Sequence, residues 1–144
     1  MRVVAFAPSL RAADEAEGGV SLRGFPMTSC FVETFPARIA VPMVVSVCAL
    51  NGTDYDPVCS IVAASPEGEP VGSLELRWHW PDNPPTPVKF RVFNQNLTML
   101  VESPGVYTLG LYGSPDAAVT ENLFPLPVFS AAPAGAGAVP APLP

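Results

Sequence analysis

One histidine, three cysteines and thirteen acidic residues are the groups through which this chain could act chemically on another molecule. The histidine, His79, stands between Trp78 and Trp80 in the run Leu74-Glu75-Leu76-Arg77-Trp78-His79-Trp80. A histidine serving a Ser-His-Asp or Cys-His arrangement must be buried, oriented and next to a nucleophile. Here apolar and polar residues alternate strictly. Leu74, Leu76, Trp78 and Trp80 therefore share one face of a strand, and Glu75, Arg77 and His79 share the other. The spacing predicts an exposed His79 and a chain that is not an enzyme. One histidine and three scattered cysteines also lack the paired spacing of a zinc site.

The cysteines follow from strand register. Residues 43–50 and 58–64 read as a hairpin around residues 51–57, with Ser46 and Ser60 as its outward polar positions. Pairing those serines sets Val45 near Ile61 and Val47 opposite Cys59 on the inner face, with Cys48 outward. The thiols of Cys48 and Cys59 then lie on opposite faces and cannot bridge. Three reduced thiols in a cytoplasmic protein is the resulting expectation. Cys30 and Cys59 read as small core residues and Cys48 as the exposed thiol, with no basic neighbour in sequence to activate it.

The acids cluster in turns: Asp14, Glu15 and Glu17 near the start, then Asp54 with Asp56, then Glu67 with Glu69. Carboxylates from separate loops are the means by which a β-sandwich holds calcium, and a carboxylate pair is the machinery of a glycosidase. No EF-hand spacing is present, and the alternation sends both tryptophans to the core instead of to a sugar-binding groove. A small hydrolase or calcium-binding sandwich ranks third among the functional readings; a polar pocket gathering Glu33, Asp54 or Glu75 would revive it. The sequence assigns no catalytic residue, no metal ligand and no cofactor.

The elements that must position these residues are strands. The chain has 144 residues, a length that suits one domain with its own core. Only 14 % of residues are charged, 19 are proline, and the net charge is −6. Nucleic acid and anionic membranes are poor partners for such a surface. Prolines interrupt every apolar run before it reaches the roughly 18 residues of a membrane helix. The start, Met1 to Pro8, imitates a signal peptide, but Arg11, Asp14, Glu15 and Glu17 follow where a cleavage site belongs, so it reads as a first strand. Six of the seven bases are arginine, a bias that points to a GC-rich bacterial genome.

Ser9 reads as the N-cap of a short helical turn through Ala16, closed by Gly18-Gly19. Strands follow at 20–25 and 28–33, then the 43–50 and 58–64 pair with the turn Ser65-Pro66-Glu67-Gly68 after it. The tryptophan strand covers 71–80. Val88, Phe90 and Val92 alternate with Lys89 and Arg91, which predicts those three inward and Phe93 outward. Residues 97–101 continue after a break at Asn94-Gln95-Asn96. Strand 106–112 presents Tyr107, Leu109 and Leu111 on one face. Pro125 and Pro127 confine a last strand, 123–129, to a sheet edge or bulge. Residues 130–144 hold only small residues, proline, one leucine and one valine, and read as a disordered Pro/Ala-rich C-terminal tail.

About seven to nine short strands separated by turns predict an antiparallel β-sandwich over residues 1–129. Gly18-Gly19-Val20-Ser21-Leu22-Arg23-Gly24, Phe35-Pro36, Ser65-Pro66-Glu67-Gly68, Pro104-Gly105-Val106-Tyr107 and Leu126-Pro127-Val128 occur in that order. In this the chain resembles an uncharacterised bacterial family of single-domain, immunoglobulin-like β-sandwich proteins. The resemblance implies an immunoglobulin-like fold and places Tyr107 at the tyrosine corner, where the hydroxyl bonds back to the chain. It carries no activity.

The expected function is protein binding, as an adaptor module or, alternatively, as a structural subunit of a larger assembly such as a virion or secretion apparatus. The partner is a protein of unknown identity or a second copy in a homo-oligomer. The candidate interaction surface comprises Glu75, Arg77 and His79 on the outer face of the tryptophan strand, with Phe93 and with Phe129 at the last strand's edge.

Overall fold

Backbone polar groups in an alternating, proline-punctuated chain find partners between strands, and the computed structural model shows that outcome throughout. It describes residues 1–52, 54–114 and 116–131, which form ten strands and no helix. They are β1 (Arg2–Pro8), β2 (Arg11–Asp14), β3 (Val20–Arg23), β4 (Cys30–Val32), β5 (Ala37–Leu50), β6 (Val58–Ala64), β7 (Pro70–Arg77), β8 (Val88–Val101), β9 (Gly105–Tyr112) and β10 (Asn122–Ser130).

Two sheets enclose one core. The first has the order β1-β5-β8, the second β4-β10-β9-β6-β7, and β2 pairs with β3 in a separate hairpin. All pairings are antiparallel except β4 on β10. Val45, Val47, Leu97 and Met99 of the first sheet meet Cys59, Ile61, Leu76, Leu109 and Leu126 of the second, all fully buried. Each large side chain removed from water in this way stabilises the fold by roughly 1.5–3 kcal/mol. Tyr107 is buried among them, and its hydroxyl donates to the Ser103 carbonyl at 2.8 Å, so its polar end is satisfied. At one side the sheets approach closely. A side chain at Gly72 of β7 would put its Cβ 2.4 Å from the Thr98 carbonyl oxygen of β8, so only glycine fits there.

The turn at Ser65-Pro66-Glu67-Gly68 joins β6 to β7 as expected. Ser65 and Glu69 close it, Gly68 N–H donates to the Ser65 carbonyl, and Gly68 takes a φ of 87°. Trp78 and Trp80 are buried beyond the end of β7, and His79 between them is exposed.

Four expectations require correction. Residues 9–16 form no helix: Ser9 is buried, and its Oγ lies 2.7 Å from the Arg11 carbonyl oxygen and 2.8 Å from that of Arg23. The serine ties together the base of the β2–β3 hairpin instead of capping helical amides, and Gly18 and Gly19 form the hairpin's tip. Second, β5 and β6 do not pair. They lie in opposite sheets, and Val45, Val47, Cys59 and Ile61 meet across the core. A period of two fixes which side chains face inward and leaves the strand's partner open. Ser60 keeps its outward parity, opposite Glu75 in the β6–β7 ladder, but is buried there.

Third, β8 is one continuous strand that follows β5 over its whole length, from Leu50 opposite Val88 to Ala37 opposite Val101. Leu97, Met99 and Val101 set its inward parity, so Lys89 and Phe93 face inward and Phe90 is 63 % exposed. The outward reading of Phe93 is thus inverted: its ring packs edge-on against Trp78 with centroids 4.9 Å apart. Fourth, β10 lies between β4 and β9, not at an edge. Its prolines are tolerated because β4 meets only Val128–Ser130, which leaves the flank beside Pro125 and Pro127 without a pairing strand. β10 runs on to Ser130, and Ala131 N–H donates to the Val32 carbonyl at 2.9 Å. The remainder of the expected tail, 132–144, lies outside the described residues.

Candidate interaction surface

Four neighbouring strands, β4, β10, β9 and β6, contain no Asp, Glu, Lys, Arg or His at all. Their inward residues fill the core. Their outward residues make an uncharged face. Register places Val62 beside Gly110 and Gly110 beside Leu123, then Thr108 beside Pro125, Val106 beside Pro127, and Phe129 beside Phe31. Phe31, Val106, Leu123 and Phe129 are all exposed. The two phenylalanines stack with centroids 5.6 Å apart. A Cβ on Gly110 would lie 2.8 Å from the Tyr112 ring and 3.2 Å from Leu123, so those side chains spread over the glycine.

The sequence-selected residues fall unevenly on this sheet. Glu75 and Arg77 point outward from β7, the edge strand opposite β4, and form an ion pair with each other. His79 Nδ1 lies 2.6 Å from Asp56 Oδ1, both groups largely exposed. Such surface pairs contribute at most about 1 kcal/mol and mark a charged margin. Phe129 sits across the sheet from them, and Phe93 is in the core. The structure therefore does not bring the five residues into one patch.

Phe31, Val106 and Leu123 were not singled out by sequence, although a signal existed. Residues 123–129 are apolar at both parities, the pattern of a strand with both faces covered.

The acidic residues near the histidine act on the backbone. Asp82 Oδ1 accepts from Gly52 N–H at 2.7 Å, Asp54 Oδ1 accepts from Asp82 N–H at 2.6 Å, and Asn51 Oδ1 accepts from Asn83 N–H at 2.9 Å. Lys89 is buried where these loops meet. Its Nζ donates to the Trp80 carbonyl at 3.2 Å, lies 3.7 Å from Asp82, and sits over the Tyr55 and Trp80 rings. These contacts fasten the β5–β6 and β7–β8 connections together. Among the described residues no three His, Cys, Asp or Glu side chains gather to hold a metal ion.

All three cysteines are free. Cys59 is wholly buried and burial pushes its thiol up to about 11; burial raises Cys30 as well. Cys48 is half-buried, with Arg2 directly opposite it across the β1–β5 ladder, a basic neighbour that 45 intervening positions of sequence conceal. No described helix is long and apolar enough to cross a membrane.

Comparison with protein-family models, with curated proteins and with solved structures returned no match.

Proposed function

We propose that this chain is a non-catalytic protein-binding module with an immunoglobulin-like sandwich fold, and that it binds a second copy of itself through the outer face of β4, β10, β9 and β6. The observation that carries the reading is the absence of charge from that face in a protein of net charge −6. Two copies can meet there without burying a charged group, the costly event in any association. At about 3.3 Å per residue and 4.8 Å between strands, strands of 3, 9, 8 and 7 residues cover roughly 430 Å² per copy. Two such faces cover roughly 860 Å² in total, the size of a weak, concentration-dependent contact. Flat sheets stack face to face at about 10 Å, and an isologous contact needs only one self-complementary patch.

The immunoglobulin-like assignment draws support from strand order and from one side chain. The chain's opening segment is shared between the sheets, β1 antiparallel to β5 and β4 parallel to β10, and Tyr107 closes a corner onto Ser103. Three free thiols suit the reducing cytoplasm.

Light scattering on the eluting protein, from micromolar to submillimolar concentration, tests the proposal. The expected mass rises toward twice that of the chain, and Leu123→Glu or Val106→Glu weakens the association at least about tenfold while leaving the circular dichroism unchanged. Larger assemblies of fixed size would select the structural-subunit reading. A monomer at every concentration would overturn self-association.

A further inference from the structure

A sheet edge is a row of backbone N–H and C=O groups that another strand can pair. β8 bonds β5 along one edge, and among the described residues no strand pairs with the other. The remaining edges are each interrupted. β1 bulges at Val4, β7 opens with Pro70 and bulges at Val71, β4 is 3 residues long, and the open flank of β10 carries Pro125 and Pro127. Bulges, short strands and prolines are devices that keep a further strand from joining. β8 has none of the three: its 14 residues contain no proline and follow β5 without a register shift.

Two neighbours bound the free stretch of this edge. Gly72 of β7 crowds the Thr98 carbonyl, and the β2–β3 hairpin crosses the outer face where Asn94 bonds the Ala12 carbonyl. Residues 88–93 remain, about 20 Å of edge at 3.3 Å per residue. On the outer side of that stretch stands Phe90, left to water. On the inner side Lys89 is taken up by the Trp80 carbonyl and by the Tyr55 and Trp80 rings. Arg91 is exposed, with its guanidinium 5.3 Å from the centre of the Phe93 ring. The chain has thirteen acids to seven bases, yet among the described residues Arg91 has no ion-pair partner. A charge in that position disfavours an apolar strand, which would cover it unpaired, and favours a strand that brings an acid.

We propose that an extended acidic segment of another protein adds to residues 88–93 as a fourth strand of the β1-β5-β8 sheet. Its carboxylate lies beside Arg91 on the inner side, and its apolar side chains cover Phe90 and Val92 on the outer side. Backbone hydrogen bonds supply the affinity and alternate side chains the specificity. The carboxylate gives the guanidinium the charge-assisted bonds that the chain does not, and the apolar cover takes Phe90 out of water. This edge is separate from the face of β4, β10, β9 and β6, so strand addition and contact between copies are independent.

Titration of the labelled protein with the peptide acetyl-Thr-Thr-Val-Glu-Val-Thr-Thr-amide, followed by NMR, tests the proposal. Saturable shifts are expected at residues 88–93, and replacing the peptide's glutamate by lysine should weaken binding at least about tenfold. Arg91→Glu should reverse that preference while leaving the circular dichroism unchanged. Alternate amides of a strand point to opposite edges. One peptide methylated at both valine amides and another methylated at the glutamate amide should therefore differ, one losing binding and the other keeping it. Leu123→Glu, which breaks the contact between copies, should bind the peptide as the wild type does, so the two proposals fail separately. Equal binding of both methylated peptides, a lysine peptide matching the glutamate peptide, shifts centred on another strand, or no saturable binding at millimolar peptide would each overturn it.

Discussion

The outer face of the three-stranded sheet carries Asn94, Asn96 and Thr98, and the chain lays its own β2–β3 hairpin across part of it. Val44, on the outward parity of β5, is buried as a result. The outer face of the five-stranded sheet carries Phe31, Val106, Leu123 and Phe129 and leaves them exposed. The asparagine stretch of the first face is covered by the chain itself, while Phe90 farther along that face and the four apolar residues of the second stay open to solvent. Covering apolar surface is what stabilises an association, and the proposed contact between copies rests on this bare face, whose four strands hold no charged residue. The cover on the polar stretch buries Val44 and leaves a cleft between the hairpin and the sheet.

Changes along one strand sharpen the contrast most. Leu126 and Leu123 both belong to β10, three residues apart on opposite faces. Leu126→Ala should cost about 2–5 kcal/mol in urea unfolding, whereas Leu123→Ala should stay within about 0.5 kcal/mol in dilute solution. A large cost at Leu123 in dilute solution would mean that the outer face stabilises the single chain, and the comparison would fail.

How the hairpin is held comes next in size. Ser9→Ala removes the hydroxyl that reaches both Arg11 and Arg23 carbonyls, and Asn94→Ala removes the tie to Ala12. Each should cost about 1 kcal/mol, and amide hydrogen exchange in β2 and β3 should rise with little change in β9 and β10. Exchange rising equally in all strands would show that the hairpin is not a separately held cover.

The smallest effect concerns pH. The Cys59 thiol is ordinary in the unfolded chain, at 9.0, and pushed up to about 11 when folded. The folded state therefore holds its proton longer. This contribution to stability is fully present below about pH 9 and is lost as pH rises toward about 11. Cys59→Ala should shallow the decline of unfolding free energy across that window. An unchanged slope would place the alkaline loss elsewhere.

Much of the fold was legible in the residues, for a physical reason that also marks where legibility ends. Alternation is local, so the faces of residues 74–80, Val45, Val47, Cys59 and Ile61 could be read from the sequence alone. Partners are not local: β5 was assigned to β6, its neighbour in sequence, and instead pairs with β1 and β8. In β8 the local pattern misled outright. Val88, Phe90 and Val92 look like a core face, but register with β5 and the buried Leu97, Met99 and Val101 imposed the other parity. Lys89 was thereby carried inside, where the Trp80 carbonyl and two aromatic rings receive it. Of the candidate surface, Glu75, Arg77, His79 and Phe129 proved accessible, but the apolar face emerged only when four strands distant in sequence were set side by side.

The most direct test follows backbone amide shifts by NMR as the protein is diluted from submillimolar to micromolar concentration. Contact between copies through the five-stranded sheet predicts shift changes concentrated at Phe31, Val106, Leu123 and Phe129, with Arg11, Arg23 and the β2–β3 hairpin unmoved. Spectra independent of concentration, or changes centred on the hairpin and the three-stranded sheet, would contradict it.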